Sequence, residues 1–201
     1  MFLENNIGSN NRGGWIEMIS GSMFSGKTEE LIRRIKRAEI AGQKVVIFKP
    51  CIDNRYSEDH IVSHDAKSRI SIPVKEAREI LDHANVYEVI GIDEAQFFEN
   101  DVVEVCDYLA NQGKRIIVAA LDMDFTGKPF GPVPLLISIA EYVTKVHAIC
   151  MRCGNLAHYS HRLSDTQKLV VLGEKDIYEP LCRQCFNKAR KINQKELSLF
   201  K

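Results

Sequence analysis

The chain has 201 residues, of which 45% are apolar and 27% are charged. These values are typical of a globular protein and exclude a wholly disordered or fibrous chain. The 27 basic residues balance the 27 acidic ones, and a net charge of zero argues against a dedicated nucleic-acid binder. Since no apolar run is long enough to span a membrane and the N-terminus lacks the features of a secretory signal, we expect a cytoplasmic protein with neither membrane nor nucleic acid as partner.

Strands and helices are predicted to alternate along most of the chain, after a flexible polar tail at residues 1–14. In chain order, the patterns predict strand Trp15–Ile19, helix Lys27–Ala41, strand Val45–Phe48, helix Glu76–Ala84, strand Val86–Asp93, helix Phe97–Asn111, strand Arg115–Ala120, a short helix or turn at Leu135–Ala140, and strand Tyr142–Ile149. Residues 50–75 show no clear pattern. Continuous apolar runs are typical of strands buried on both faces of a parallel sheet, so the alternation predicts an open α/β sheet.

Residues 21–28 read G-S-M-F-S-G-K-T and match the phosphate-binding sequence G-x-x-x-x-G-K-[ST] in full. A predicted strand precedes this segment and a predicted helix follows it, as the motif requires. Glycines let backbone N–H groups converge on phosphate oxygens, and a helix N-terminus favours an anion. Lys27 is predicted to contact phosphate and Thr28 to bind Mg²⁺. The fold class predicted is therefore the P-loop NTPase type, a parallel sheet with helices on both faces.

A second phosphate element is predicted where the apolar segment Val89–Ile92 ends in two acids. Asp93 is suited to hold Mg²⁺, and Glu94 to accept a proton as general base. The predicted ATP- and phosphate-binding residues are Gly21, Ser22, Met23, Phe24, Ser25, Gly26, Lys27, Thr28, Asp93, Glu94, Ala95 and Gln96. The run Asp-Glu-Ala-Gln also resembles the second motif of nucleic-acid helicases, although this length leaves room for one sheet where a helicase needs two. An ATPase whose cysteine-rich end touches nucleic acid stays open as an alternative.

Four of the six cysteines form two C-x-x-C pairs, Cys150 with Cys153 and Cys182 with Cys185. Four thiolates at this spacing predict a closed, structural Zn²⁺ site, whereas a thioredoxin-type redox site needs one pair. We predict a nucleotide-binding domain at residues 15–149, a small zinc-ribbon domain at 150–192 and a C-terminal tail at 193–201. The loop between the pairs is expected to cover a small flat ligand. A ribbon that serves only stability, or that docks a partner chain, is the alternative.

Further motifs complete a family pattern, namely Asp53–Tyr56, His64-Asp65, Asp93–Phe98, Ala120–Phe125 and Lys128–Gly131. With the phosphate loop and the cysteine pairs, they occur in the order found in the type II thymidine kinases, which the chain resembles from about Ile16 to Arg190. The resemblance implies Mg²⁺-dependent transfer of the γ-phosphoryl of ATP to the 5′-hydroxyl of thymidine or deoxyuridine in pyrimidine salvage, giving dTMP and ADP. It also implies a structural Zn²⁺, a lasso-like loop between the cysteine pairs, a homotetramer and feedback inhibition by dTTP.

The resemblance assigns roles to individual residues as well. Glu94 matches the catalytic base, Asp93 the magnesium ligand and Arg55 an arginine near the 5′-hydroxyl. The residues that match the nucleoside pocket are Met23, Arg55, Phe97, Leu121, Phe125, Phe130, Ser160, Leu169, Val171 and Tyr178. Ser160 stands where threonine is common and Leu169 where valine is common, which changes the fit around the base methyl group. A nucleoside monophosphate kinase with a zinc lid is an alternative, but its lid cysteines lie closer together and inside the chain.

Overall fold

The computed structural model describes residues 13–51, 60–61, 69–163 and 177–190. Three predicted pocket residues, Arg55, Leu169 and Val171, lie outside the described residues. The predicted C-terminal tail and residues 1–12 of the predicted N-terminal tail lie outside them too. Among the described residues, we find no helix with the length and apolar character needed to cross a membrane.

Twelve strands and five helices are present in the described residues. The strands are β1 Trp15–Gly21, β2 Val45–Pro50, β3 His60–Ile61, β4 Arg69–Ile70, β5 Ile72–Val74, β6 Val89–Ile92, β7 Arg115–Leu121, β8 Tyr142–Val146, β9 Ala148–Ile149, β10 Leu156–Ala157, β11 Tyr159–Arg162 and β12 Tyr178–Leu181. The helices are α1 Lys27–Ile40, α2 Glu79–Ala84, α3 Asp101–Asn111, α4 Val133–Ile139 and α5 Arg183–Ala189, with a 3-10 turn at Ala95–Phe97.

The main sheet has six strands in the order β5-β2-β6-β7-β1-β8, and the paired strands are parallel. The predicted α/β fold is therefore confirmed. Strands β1 and β6 flank β7, and their carboxyl ends meet at one edge of the sheet. Ligands of open parallel sheets bind outside that edge, which is where the two predicted phosphate elements lie.

Helices cover both faces of the sheet. Leu31 and Ile35 of α1 are fully buried in one apolar cluster, together with Ile47 of β2. On the other face, Val102 of α3 and Leu136 of α4 are buried in a second, larger cluster. Burial of each such side chain contributes about 1.5–3 kcal/mol. Because both faces are covered, the central strands consist of nearly continuous apolar residues.

The helix predicted from Glu76 begins at Glu79 and the strand predicted from Val86 begins at Val89, and two other predicted elements differ more. The single strand predicted over Tyr142–Ile149 is wrong, because the chain leaves the main sheet at His147; β8 pairs with β1, whereas β9 pairs with β10. The helix predicted from Phe97 begins only at Asp101, since the 3-10 turn ends at an extended Phe98. From β9 onward, the strand pairs β9–β10 and β11–β12 and helix α5 pack around a third apolar cluster that includes Cys150, Cys182 and Phe186. The domain boundaries remain a prediction.

Candidate active site and cysteine cluster

The predicted phosphate loop, residues 21–28, joins the carboxyl end of β1 to the first turn of α1. Gly26 precedes the helix with φ of 84°, a left-handed conformation that side chains disfavour. A Cβ atom at Gly21 would lie 2.3 Å from the carbonyl oxygen of Val146 on the neighbouring strand. Both glycines of the motif are therefore required by the backbone, and the loop has the strand-loop-helix context that its sequence predicts.

Lys27 is the first residue of α1, at the end of this loop, and has 8% of its surface exposed. Its ammonium group donates to the carbonyl oxygen of Ser22 at 2.9 Å. Burial lowers the pKa of Lys27, and the nearby carboxylates of Glu94 and Asp93 oppose that shift. A nucleotide phosphate bound by the loop would favour the charged form of Lys27 in the same way.

Asp93 and Thr28 bring the two predicted phosphate elements together. The hydroxyl of Thr28 donates to the carboxylate of Asp93 at 3.0 Å to Oδ2, with Oδ1 at 3.3 Å. Burial, followed by the charge of Glu94, raises the pKa of Asp93 to about 7. A hydroxyl and a carboxylate are hard oxygen donors suited to Mg²⁺, so these residues fit a site for a divalent cation bound with a nucleotide.

Glu94, the predicted catalytic base, follows Asp93 directly and is half-buried at the same edge of the sheet. It is one of two described non-glycine residues with positive φ, at 53°. Its carboxylate accepts a hydrogen bond from the side-chain amide of Gln96 at 2.5 Å. Ala95 is fully buried beneath this turn. The structure therefore places an acid beside Lys27 and Asp93, as an attacking hydroxyl would require.

Aromatic residues of the predicted nucleoside pocket form two contacts. Phe97 and Phe130 meet edge to face with ring centroids 5.7 Å apart. The guanidinium of Arg162 lies 3.7 Å from the centre of the Phe125 ring and donates to the hydroxyl of Tyr178 at 2.7 Å. Leu121, also predicted here, ends β7. Arg162 was not among the predicted pocket residues, because no sequence motif marks a buried arginine that stacks on an aromatic ring.

The cysteine-rich part of the chain, from β9 to α5, contacts the phosphate loop directly. The backbone N–H of Met23 donates to the hydroxyl of Ser160 on β11 at 2.9 Å. Ser160 is 4% exposed and Met23 is half-buried, so this hydrogen bond is partly shielded from water. The neighbouring Phe24 packs against the apolar cluster around Cys150 and Cys182. Ser160 thus connects the predicted nucleoside pocket with the loop predicted to hold phosphate.

Replacing Ser160 with alanine should raise the Kd for ATP about fivefold, because a phosphate loop that is no longer held at Met23 must be ordered when ATP binds, at a cost of about 1 kcal/mol. Ser160→Thr keeps a hydroxyl and should bind ATP like the wild type. Ser138→Ala is a matched control, since exposed Ser138 on α4 donates to Pro134 far from the loop. Isothermal titration with ATP measures the effect, and an unchanged Kd in Ser160→Ala would contradict it.

The four cysteines of the two pairs are free thiols, and their sulfur atoms all lie within 4.8 Å of one another. The Sγ atoms of Cys153 and Cys182 are 3.6 Å apart. A tetrahedral site with Zn–S bonds of about 2.3 Å places its sulfurs about 3.8 Å apart, so the cluster is compatible with a structural Zn²⁺. The backbone N–H of Cys185 donates to the sulfur of Cys182 and lowers the pKa of that thiol, which favours the thiolate that Zn²⁺ binds.

Metal analysis of the purified chain should find about one Zn²⁺ per molecule, as a four-cysteine site requires. Cys182→Ser should lose most of this metal. Cys51→Ser is the control, because Cys51 is exposed and lies outside the cluster. Protein purified under reducing conditions that holds no metal, with a disulfide between the pairs, would contradict a zinc site.

The parallel sheet and the loop between β1 and α1 define an α/β protein of the P-loop type, which also carries a four-cysteine cluster. A family model described as thymidine kinase matches residues 14–186. Relatives named thymidine kinase include one from Bacteroides thetaiotaomicron, 56% identical over 94% of this chain and 96% of that protein. Another, from Porphyromonas gingivalis, is 53% identical over 96% of this chain and 95% of that protein. One from Rhodothermus sp. is 55% identical over 92% of this chain and 86% of that protein. The chain belongs to the thymidine kinase family.

Proposed function

We propose that this chain transfers the γ-phosphoryl group of Mg²⁺-bound ATP to the 5′-hydroxyl of thymidine, and of deoxyuridine, giving dTMP and ADP. The observation that carries the proposal is the hydrogen bond between Thr28 and Asp93, which places the phosphate loop beside the acid pair in a chain of this family. Phosphoryl transfer depends mainly on positioning and on neutralising charge. Lys27, the acids Asp93 and Glu94 and the glycine-bounded loop lie at one edge of the sheet, where they supply the positioning and the charge neutralisation.

In this proposal, the loop amides and Lys27 hold the β- and γ-phosphates. Thr28 and Asp93 would hold Mg²⁺, which neutralises phosphate charge when bound. Glu94 accepts the proton of the 5′-hydroxyl as its oxygen bonds to the γ-phosphorus. The bond from that phosphorus to the bridging oxygen breaks, and the electron pair leaves with ADP.

The nucleoside is proposed to bind beside Glu94, among Met23, Phe97, Leu121, Phe125, Phe130, Ser160 and Tyr178. Half-buried and buried aromatic rings next to polar groups are typical of a site for a flat base. The two aromatic contacts described above and the link from Ser160 to Met23 support this location. Arg55, Leu169 and Val171 are proposed to complete the pocket on the strength of the family resemblance. The Zn²⁺ is proposed to be structural, because four thiolates leave no open ligand position.

Three further properties are proposed from the family resemblance alone. These are inhibition by dTTP, assembly as a homotetramer and location in the cytoplasm. Steady-state inhibition with dTTP tests the first property. Sedimentation velocity tests the second, with a tetramer of the 22.8 kDa chain as the expected species.

An acceptor comparison tests the proposed activity. Purified protein is incubated with γ-labelled ATP and Mg²⁺, and with thymidine, dTMP or single-stranded DNA in parallel. Label should move to thymidine alone. Label on dTMP would indicate a nucleoside monophosphate kinase, and DNA-stimulated release of free phosphate would indicate a nucleic-acid-dependent ATPase.

A further inference from the structure

Glu94 occupies a backbone conformation that needs support from its surroundings. Its φ of 53° lies in the left-handed region, which side chains other than glycine adopt at an energetic cost. It sits between the end of β6 and the 3-10 turn, whose Phe97 N–H donates to the Glu94 carbonyl at 3.1 Å. This turn fixes the Glu94 backbone but leaves the rotation of its side chain to other contacts.

Gln96 supplies such a contact from within the same turn. Its side chain is 2% exposed, and its oxygen accepts the backbone N–H of Leu121 at 2.9 Å. A backbone N–H can only donate, so the amide oxygen must face Leu121 and the amide nitrogen must face the other way. That nitrogen donates to Oε2 of Glu94 at 2.5 Å. The end of β7 therefore orients the amide, and the amide in turn holds one oxygen of the carboxylate.

We propose that Gln96 is a positioning residue that holds the Glu94 carboxylate in the orientation needed to accept the proton of the substrate hydroxyl. The inference rests on the proposed function, in which Glu94 is the base. It gives Gln96 a role besides the predicted phosphate contact, since its oxygen and one N–H of its amide bond within the protein. With Oε2 held by Gln96, Oε1 is the oxygen that faces the hydroxyl.

The role of a positioning residue differs measurably from that of a phosphate ligand. Loss of a phosphate ligand raises the KM for ATP, because ground-state binding is weakened. Loss of the contact that orients a general base lowers kcat, while the binding of both substrates stays the same. Residues that act through one another also show non-additive effects when both are changed.

The test is a double-mutant cycle on thymidine phosphorylation, with Gln96→Met and Glu94→Gln alone and combined. Gln96→Met should lower kcat about tenfold or more and leave the KM for ATP and for thymidine within about twofold. In the Glu94→Gln background, the same change should cost less than about threefold, since no base is left to orient. Gln112→Met, at an exposed glutamine after α3, is the control and should behave as wild type.

Gln96→Asn provides a second variant in case the methionine variant does not fold. Its amide is one methylene shorter and cannot bond to both the Leu121 N–H and the Glu94 carboxylate, so its kcat should also fall. Equal losses in both Glu94 backgrounds, a raised KM for ATP with unchanged kcat, or full activity of Gln96→Asn would each overturn the proposal. If the wild-type protein makes no dTMP in this assay, the proposed function fails instead, so the two failures are distinct.

Discussion

Replacing Glu94 with glutamine should lower kcat for thymidine phosphorylation about 100-fold or more, while the Kd for ATP stays within about twofold of wild type. Glutamine keeps the size of the side chain but cannot accept the proton of the 5′-hydroxyl. Glu94 lies close enough to Lys27 and Asp93 for its charge to affect the pKa of each. A lower kcat with an unchanged Kd for ATP is the result expected when a general base is lost. Rapid-quench measurement of a single turnover reports the chemical step directly.

The matched control for this experiment is Glu99→Gln. Glu99 is an exposed acid five positions further along the chain, beyond the 3-10 turn. It should retain wild-type kcat and KM. Wild-type turnover in Glu94→Gln would remove Glu94 from the proton transfer.

Replacing Lys27 with methionine should reduce kcat/KM for ATP by about 100- to 1,000-fold, the range seen when one preorganised electrostatic donor is lost. The ammonium is buried and donates to the Ser22 carbonyl, so solvent does not readily make up for the loss of its charge. Methionine preserves most of the packing volume of the lysine stem. Zinc content should stay the same, because Lys27 is not a member of the four-cysteine cluster.

Lys44→Met is the control for the loss of a lysine charge. Lys44 is exposed and precedes β2, so it lies at the amino edge of the sheet, opposite the phosphate loop. This control should phosphorylate thymidine at the wild-type rate. If Lys27→Met binds and uses ATP normally, the loop does not act on phosphate.

Local sequence patterns predict the main sheet and the phosphate elements well, because their signals lie within a few residues. The strand before Gly21, the helix after Lys27 and the apolar run before Asp93 are all present in the structure. The edge strand β5 was missed, since three residues with a central Pro73 carry no recognisable strand pattern. The order of the strands also has no local signal and comes from packing.

Long-range contacts in the site could not be predicted from the sequence. Ser160 was predicted as a pocket residue, but its hydrogen bond to Met23 joins positions 137 residues apart. The same holds for Gln96 and Leu121, and for the stacking of Arg162 on Phe125. The contacts of Ser160 and Arg162 depend on how the pair β11–β12 docks on the main sheet, and that of Gln96 depends on the pairing of β6 with β7. The cysteine cluster is the exception, because two spaced C-x-x-C pairs predict from the sequence alone that the four cysteines form one metal site.

Transfer of phosphoryl to the 5′-hydroxyl of thymidine is tested most directly by identifying the product with phosphorus NMR. Wild-type protein is incubated with Mg²⁺, ATP and thymidine, and in parallel with 5′-deoxythymidine, which lacks the accepting hydroxyl. The expected products are thymidine 5′-monophosphate and ADP in equal amounts from thymidine, and no phosphorylated nucleoside from the 5′-deoxy compound. A 3′-phosphate, or ADP and free phosphate without a phosphorylated nucleoside, would contradict the assignment of Glu94 and the phosphate loop to this reaction.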